Sequence, residues 1–252
     1  MNIPHKTLTI LVALALSASL ASAANITWGG PQQITGIGDV STNGTLVGAF
    51  NVGATGVPST VVNGVNFQSF STVNGNGSFG NFTTVGSGFI TQTNTDGGSP
   101  NAPFSTLPAA YQTLLASYSS PFAGTIAMTI SGLVVGAQYE FQVWSNRSDG
   151  QFGGDLTVTS GNTTTLRGNT AGAAGGLGQW VIGSFTADAL TQTITFAGDG
   201  DYGSLNAFQL RNITQTPSGV PDTGSTLALL GVTLAALCAA HRKLGVTARA
   251  RR

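Results

Sequence analysis

Apolar side chains fall on every second position through most of this chain, the period of a β-strand with one face turned inward. Ile126, Met128 and Ile130 share one face while Thr125, Ala127 and Thr129 occupy the other, and Gly132 to Gly136 then turns the chain. The next run sets Tyr139, Phe141 and Val143 against Gln138, Glu140, Gln142 and Trp144. Leu156 with Val158, Val181 with Phe185, Ile194 with Phe196 and Phe208 with Leu210 continue the series. Nearer the N-terminus, Leu46 to Val52 reads as a strand. Asn63-Gly64, between Val61-Val62 and Val65-Asn66-Phe67, reads as a two-residue hairpin turn. Helical spacing is confined to one place, where Ser105-Thr106-Leu107-Pro108 offers an N-cap and a first-turn proline ahead of Tyr111, Leu114, Leu115 and Tyr118. Many short strands joined by Gly, Asn and Ser turns predict an all-β sandwich with one short helix.

The two ends of the chain break this pattern. Residues 1–23 carry His5 and Lys6, an apolar run from Leu8 to Leu16, and small residues ending Ala21-Ser22-Ala23. That is the order a signal peptidase reads, with Ala21 and Ala23 small enough for its subsites. At the other end, 18 consecutive uncharged residues run from Thr223 to Ala240, followed by His241-Arg242-Lys243. This is near the lower limit of roughly 17 to 25 residues for a spanning helix. The basic cluster would stay cytoplasmic and leave the long domain outside, the topology that a signal peptide also demands. The expected organisation is a signal peptide (1–23), a sandwich ectodomain (24–214), a linker with sorting motif (215–226), a transmembrane helix (227–240) and a basic cytoplasmic tail (241–252).

Val220-Pro221-Asp222-Thr223-Gly224-Ser225-Thr226, ahead of that hydrophobic segment and basic end, resembles the VPDSG variant of the PEP-CTERM sorting signal, with Thr223 where the name of the variant has Ser. The resemblance implies an inner-membrane precursor, processing by an exosortase-like enzyme, and delivery to the cell surface or extracellular matrix. Pro221, Thr223 and Gly224 also match the Leu-Pro-x-Thr-Gly signal of sortases, and an uncut single-span anchor is a third reading of the same residues. In the ectodomain, Leu133 to Trp144, Gly178 to Ala187 and Leu205 to Arg211 are similar to jelly-roll domains of the galactose-binding-like type. That likeness implies a jelly-roll-like β-sandwich and does not assign a function.

Composition narrows the chemistry. The chain of 252 residues is 7% charged, against roughly 25% in an ordinary soluble domain. Between residues 24 and 222 stand Arg147, Arg167 and Arg211 against nine acids, with no lysine. Such a surface repels phosphate backbones, so nucleic acid is excluded as an expected partner. His5, His241, Cys238, Lys6 and Lys243 all lie outside the ectodomain. Serine and cysteine triads, histidine metal sites and lysine Schiff bases are thereby excluded. A carboxylate pair remains open to glycoside hydrolysis, with Glu140, the single glutamate, followed by Asp149 and Asp155. Asp199-Gly200-Asp201 resembles the start of a calcium loop, but it lacks the later glutamate and fits a glycine-aspartate turn. No cofactor, metal or catalytic residue is expected.

The expected role is therefore that of an exported, non-enzymatic envelope or matrix protein, whose partners are the signal peptidase, an exosortase-like enzyme and the membrane. The alternative is a carbohydrate-binding module for extracellular polysaccharide, and the third reading is a carboxylate glycosidase. For the module, Glu140, Gln142 and Trp144 share one strand face with Arg147 just beyond, an aromatic plane among polar groups of the kind that holds a sugar. The competing expectation is that both faces of this strand are buried and Trp144 is core.

Overall fold

Described residues of the computed structural model are 24–150, 154–200 and 203–214. The alternating pattern folds as strands β1 (Thr27–Trp28), β2 (Gln32–Gln33), β3 (Thr45–Gly53), β4 (Thr60–Val62), β5 (Val65–Ser71), β6 (Gly77–Phe79), β7 (Phe82–Ser87) and β8 (Thr91–Thr93). Helix α1 (Ala109–Ala116) follows. After it come β9 (Tyr118–Ser120), β10 (Thr125–Ser131), β11 (Gln138–Ser145), β12 (Asp155–Ser160), β13 (Asn162–Arg167), β14 (Gln179–Thr186), β15 (Thr191–Gly198) and β16 (Ala207–Asn212).

Eight of these strands make a jelly roll. The order β3-β16-β11-β14 forms one sheet and β10-β15-β12-β13 lies in the other. The chain crosses between sheets from β10 to β11, β11 to β12, β13 to β14, β14 to β15 and β15 to β16, the connectivity of two Greek keys. Further strands widen both sheets: β5 and β4 beyond β3, β1 and β2 beyond β14, β7 and β6 beyond β10. The β3–β5 pair is parallel. The jelly-roll expectation for the ectodomain therefore holds, while the proposed signal peptide, sorting motif, transmembrane helix and tail lie outside the described residues.

Between the sheets, one row of each strand makes the main core. Ile126, Met128 and Ile130 of β10 face Tyr139, Phe141 and Val143 of β11, together with Phe50, Phe196, Phe208 and Leu210. Phe208 stacks on Phe141 at 5.9 Å and packs against Phe50 at 5.1 Å. Each such fully buried side chain contributes about 1.5–3 kcal/mol relative to exposure.

A second core lies on the other face of the larger sheet. Here Trp144, Ala207, Ala49 and Phe67 meet Tyr111, Leu114 and Leu115 of α1 and Val62 and Val65 of the β4–β5 hairpin. That hairpin turns at Asn63 and Gly64, whose φ of 50° and 76° are the two positive values a two-residue primed turn requires. The helix starts later than its spacing suggests. Ser105 lies in a 3-10 turn, Phe104–Thr106, and Pro108 occupies the N-cap position. The proline forces Leu107 into extended backbone (ψ 152°), so the turn before it cannot run on into α1. Tyr118 falls beyond the helix, in β9.

Candidate functional site

Strand β11 sits in the middle of the larger sheet, between β14 and β16. Its period of two places Glu140, Gln142 and Trp144 on one face as expected, but that face does not meet water. Glu140 is 6% exposed, and Gln142 and Trp144 are 0% exposed. The expectation of an open sugar face built on Trp144 is therefore corrected: its indole packs edge-on to Phe67 at 5.6 Å inside the second core. Arg147 does not join the set. It follows the end of β11, forks onto Asp149 at 3.0 Å and lies over the Tyr118 ring at 5.3 Å.

The polar members of the face bind a segment of the protein itself. Residues 35–44 cross the sheet, and Gln142 Nε2 donates to the Asp39 carbonyl at 2.6 Å. Gln142 Oε1 accepts from the Ser41 amide at 3.0 Å and from Gln209 Nε2 at 2.7 Å. Asn43 Nδ2 donates to Glu140 Oε2 at 3.1 Å, and Arg211 on β16 donates to the carbonyls of Asn43, Thr42 and Gly44. Burial lowers the Arg211 guanidinium from its ordinary value, opposed by the neighbouring Glu140 charge. Asp39, folded back by a 3-10 turn (Ile37–Asp39), accepts from the Thr35 hydroxyl at 2.7 Å and the Tyr111 hydroxyl at 3.1 Å. Burial first, then the Asp39 charge, raises the Tyr111 phenol well above its ordinary value. These contacts satisfy polar groups that would be costly to bury alone, and so fasten residues 35–44 to the sheet.

Other acids named from the sequence are also held. Asp199 Oδ2 accepts from the amide of Asp155, which is distant in sequence, at 3.0 Å, and Asp201 lies outside the described residues. Partial burial, then the Asp199 charge, raises the Asp155 carboxyl above its ordinary value, and Arg167 opposes this. Among the described residues no group of three or more His, Cys, Asp and Glu side chains comes together to hold a metal ion.

Among the described residues, a cleft and a sheet face are open to a partner. A cleft of about 310 Å³ lies beside β1 on the larger sheet, lined by Asn25, Thr27, Gln138, Ser184 and Thr186 with Ile213. The broader surface is the outward face of the smaller sheet. Thr163, Thr159 and Thr195 stand in register across β13, β12 and β15, and Thr193, Thr129 and Thr83 across β15, β10 and β7. Neighbouring rows add Thr165 with Thr157 and Thr191 with Ser131. Adjacent strands bring these hydroxyls to about 4.8 Å spacing; Thr159 and Thr163 share a hydrogen bond of 3.1 Å. Asp155 and Arg167, at one corner, are the only charged residues of these five strands. Sequence reasoning missed this face, although Thr191, Thr193 and Thr195, Thr157 with Thr159, and Thr163 with Thr165 repeat at the strand period.

Comparison with known proteins locates its signal at the C-terminal end of the chain. Residues 219–244 match the VPDSG-CTERM motif. The VPDSG-CTERM match takes in Val220, Pro221, Asp222, Thr223, Gly224, Ser225 and Thr226, the hydrophobic segment and the first basic residues, all outside the described residues. Among the described residues no helix is long and apolar enough to cross a membrane. No curated protein matches the chain. Two solved structures of an exo-β-1,3-galactanase from Phanerochaete chrysosporium, one with β-1,3-galactotriose and one with galactose, overlap it at TM-scores of 0.32 and 0.31, with 13% and 16% identity. The overlap covers 53% of this chain and 30% of theirs, too shallow to assign a fold or an activity.

Proposed function

We propose that this chain is an exported cell-envelope protein, sorted through its C-terminal signal by an exosortase-like enzyme, whose jelly roll serves the surface or extracellular matrix without catalysis. The observation that carries the reading is the VPDSG-CTERM match at residues 219–244. An apolar segment and a basic cluster follow the motif, and an export signal at residues 1–23 agrees with the same topology. The non-catalytic part of the reading draws on the ectodomain: it contains no histidine, cysteine or lysine, and its single glutamate is buried against Asn43. Deleting residues 223–252 tests the sorting step. The truncated protein is expected to be secreted into the medium and lost from the cell-bound fraction; unchanged retention would sink the proposal.

A second reading, contact with a neutral extracellular glycan, is favoured by the threonine rows of the smaller sheet. Their hydroxyls can donate and accept, their methyl groups are apolar, and they carry no charge. An uncharged polysaccharide matches that surface, and a strongly charged polymer would find charges to pair with only at the Asp155–Arg167 corner.

A further inference from the structure

The first residues of the ectodomain form a seam along the edge of the sandwich. Ala24 packs against the main core, and its carbonyl accepts from Gln192 Nε2 at 2.9 Å. Gln192 is 1% exposed and reaches Ser160 Oγ at 2.6 Å. The Ile26 amide donates to the Ser160 carbonyl at 2.9 Å, and Asn162 Nδ2 donates to the Ile26 carbonyl at 3.1 Å. Thr27 and Trp28 then pair with β14 of the opposite sheet, so residues 24–28 join β12, β13 and β15 to β14. At the start of this seam the Ala24 nitrogen donates to Asp188 Oδ1 at 3.0 Å. Asp188 is the charged side chain that meets Ala24, and Gln192, which holds the Ala24 carbonyl, is neutral.

We infer that Asp188 is a receptor for the mature N-terminus, and that export processing completes the seam by turning an amide hydrogen bond into an ion pair. The inference rests on the export reading above, because it needs a cut after Ala23. Hydrolysis adds water across the Ala23–Ala24 amide bond: Ala23 leaves with a carboxylate, and Ala24 keeps an amine that is protonated at neutral pH. No further residue has to move, since the nitrogen that becomes the ammonium already lies against the carboxylate. A charge-assisted bond there is stronger than the neutral bond it replaces.

The sequence supplies a clean test. Lys6 and Lys243 are the two lysines of the chain, so after processing a Lys243→Arg variant has one primary amine, at its N-terminus. This variant is exported, its N-terminal residue is read by mass spectrometry, and half of the sample is acetylated under native conditions. Acetylation removes the charge but leaves an N–H that can still donate to Asp188, as in the uncut chain. The expected N-terminus is Ala24, and acetylation is expected to lower the melting temperature by about 1–4 °C, the range for a partly exposed ion pair in a domain of this size. With Asp188→Asn added, acetylation should have less than half that effect. An equal effect in both backgrounds, or a mature N-terminus at another residue of the leader boundary, overturns the inference while leaving export intact. A chain that still begins at Met1 overturns the export reading and this inference together.

Discussion

The Trp144 indole Nε1 donates to the Tyr111 hydroxyl at 3.1 Å, and this bond joins the centre of the larger sheet to the helix that covers it. The Tyr111 hydroxyl in turn donates to Asp39 Oδ2 at 3.1 Å, so sheet, helix and the crossing segment 35–44 share one buried chain of hydrogen bonds. Replacing Trp144 by Ala empties a fully buried site and is expected to cost about 3–5 kcal/mol. Thermal melts should show a fall of roughly 10 °C. A fall of a degree or two would mean that the indole is not core.

Removing the Tyr111 hydroxyl tests the same chain by pH. The phenol is raised in the folded state above its unfolded value of about 10. The unfolded chain therefore releases this proton first, and the stabilisation is fully present below about pH 10 and is lost as pH rises toward the folded value. Urea unfolding at pH 8, 10 and 11 should show stability falling above pH 10, by at most about 1.4 kcal/mol per unit from this group. Tyr111→Phe should have a visibly shallower fall over the same interval. Parallel slopes for the two proteins would contradict the assignment.

Gln142 holds the crossing segment through both ends of its amide. With Gln142→Ala, the Ser41 amide and the Asp39 carbonyl lose their partners, at a cost of about 2–4 kcal/mol. Hydrogen exchange should locate the damage: the Ser41 amide is expected to exchange much faster, while amides in the centre of β10 change only as far as global stability falls. Uniform acceleration at both places would remove the latch role.

For the threonine face, Thr129→Lys and Thr159→Lys place one charge in each of two rows. Melting should shift by no more than about 1 kcal/mol equivalent, as exposed sheet positions do. Co-sedimentation with a neutral insoluble polysaccharide is expected to retain the parent and to release the double variant. Equal retention of both proteins would end the glycan reading for this surface.

At the tail, Pro221→Ala alters the motif and leaves the hydrophobic and basic segments untouched. Intact mass of the cell-bound protein is expected to show an uncut, membrane-held precursor. Parent and variant both found uncut would leave the plain-anchor reading in place of enzymatic sorting, and a variant cut like the parent would remove Pro221 from the recognised motif.

Several of these features are local, and the sequence alone determined them. Alternation placed Glu140, Gln142 and Trp144 on one face because the pleat depends on adjacent residues alone. Asn63 and Gly64 specified their turn because few residue pairs accept two positive φ values. The sorting motif is legible for a similar reason: its signature is a contiguous run of side chains followed by an apolar stretch and a basic cluster. What lies against a strand face is a different kind of fact. Trp144 is buried because α1 and residues 35–44, distant in sequence, are drawn over it by Tyr111 and Asp39. The threonine rows align because β15 inserts between β10 and β12, so that the paired Thr129 and Thr193, 64 positions apart in the chain, are neighbours in space. Strand period is a property of neighbours, whereas register across a jelly roll is set by long crossovers, and only the folded structure shows which hydroxyls face the solvent together.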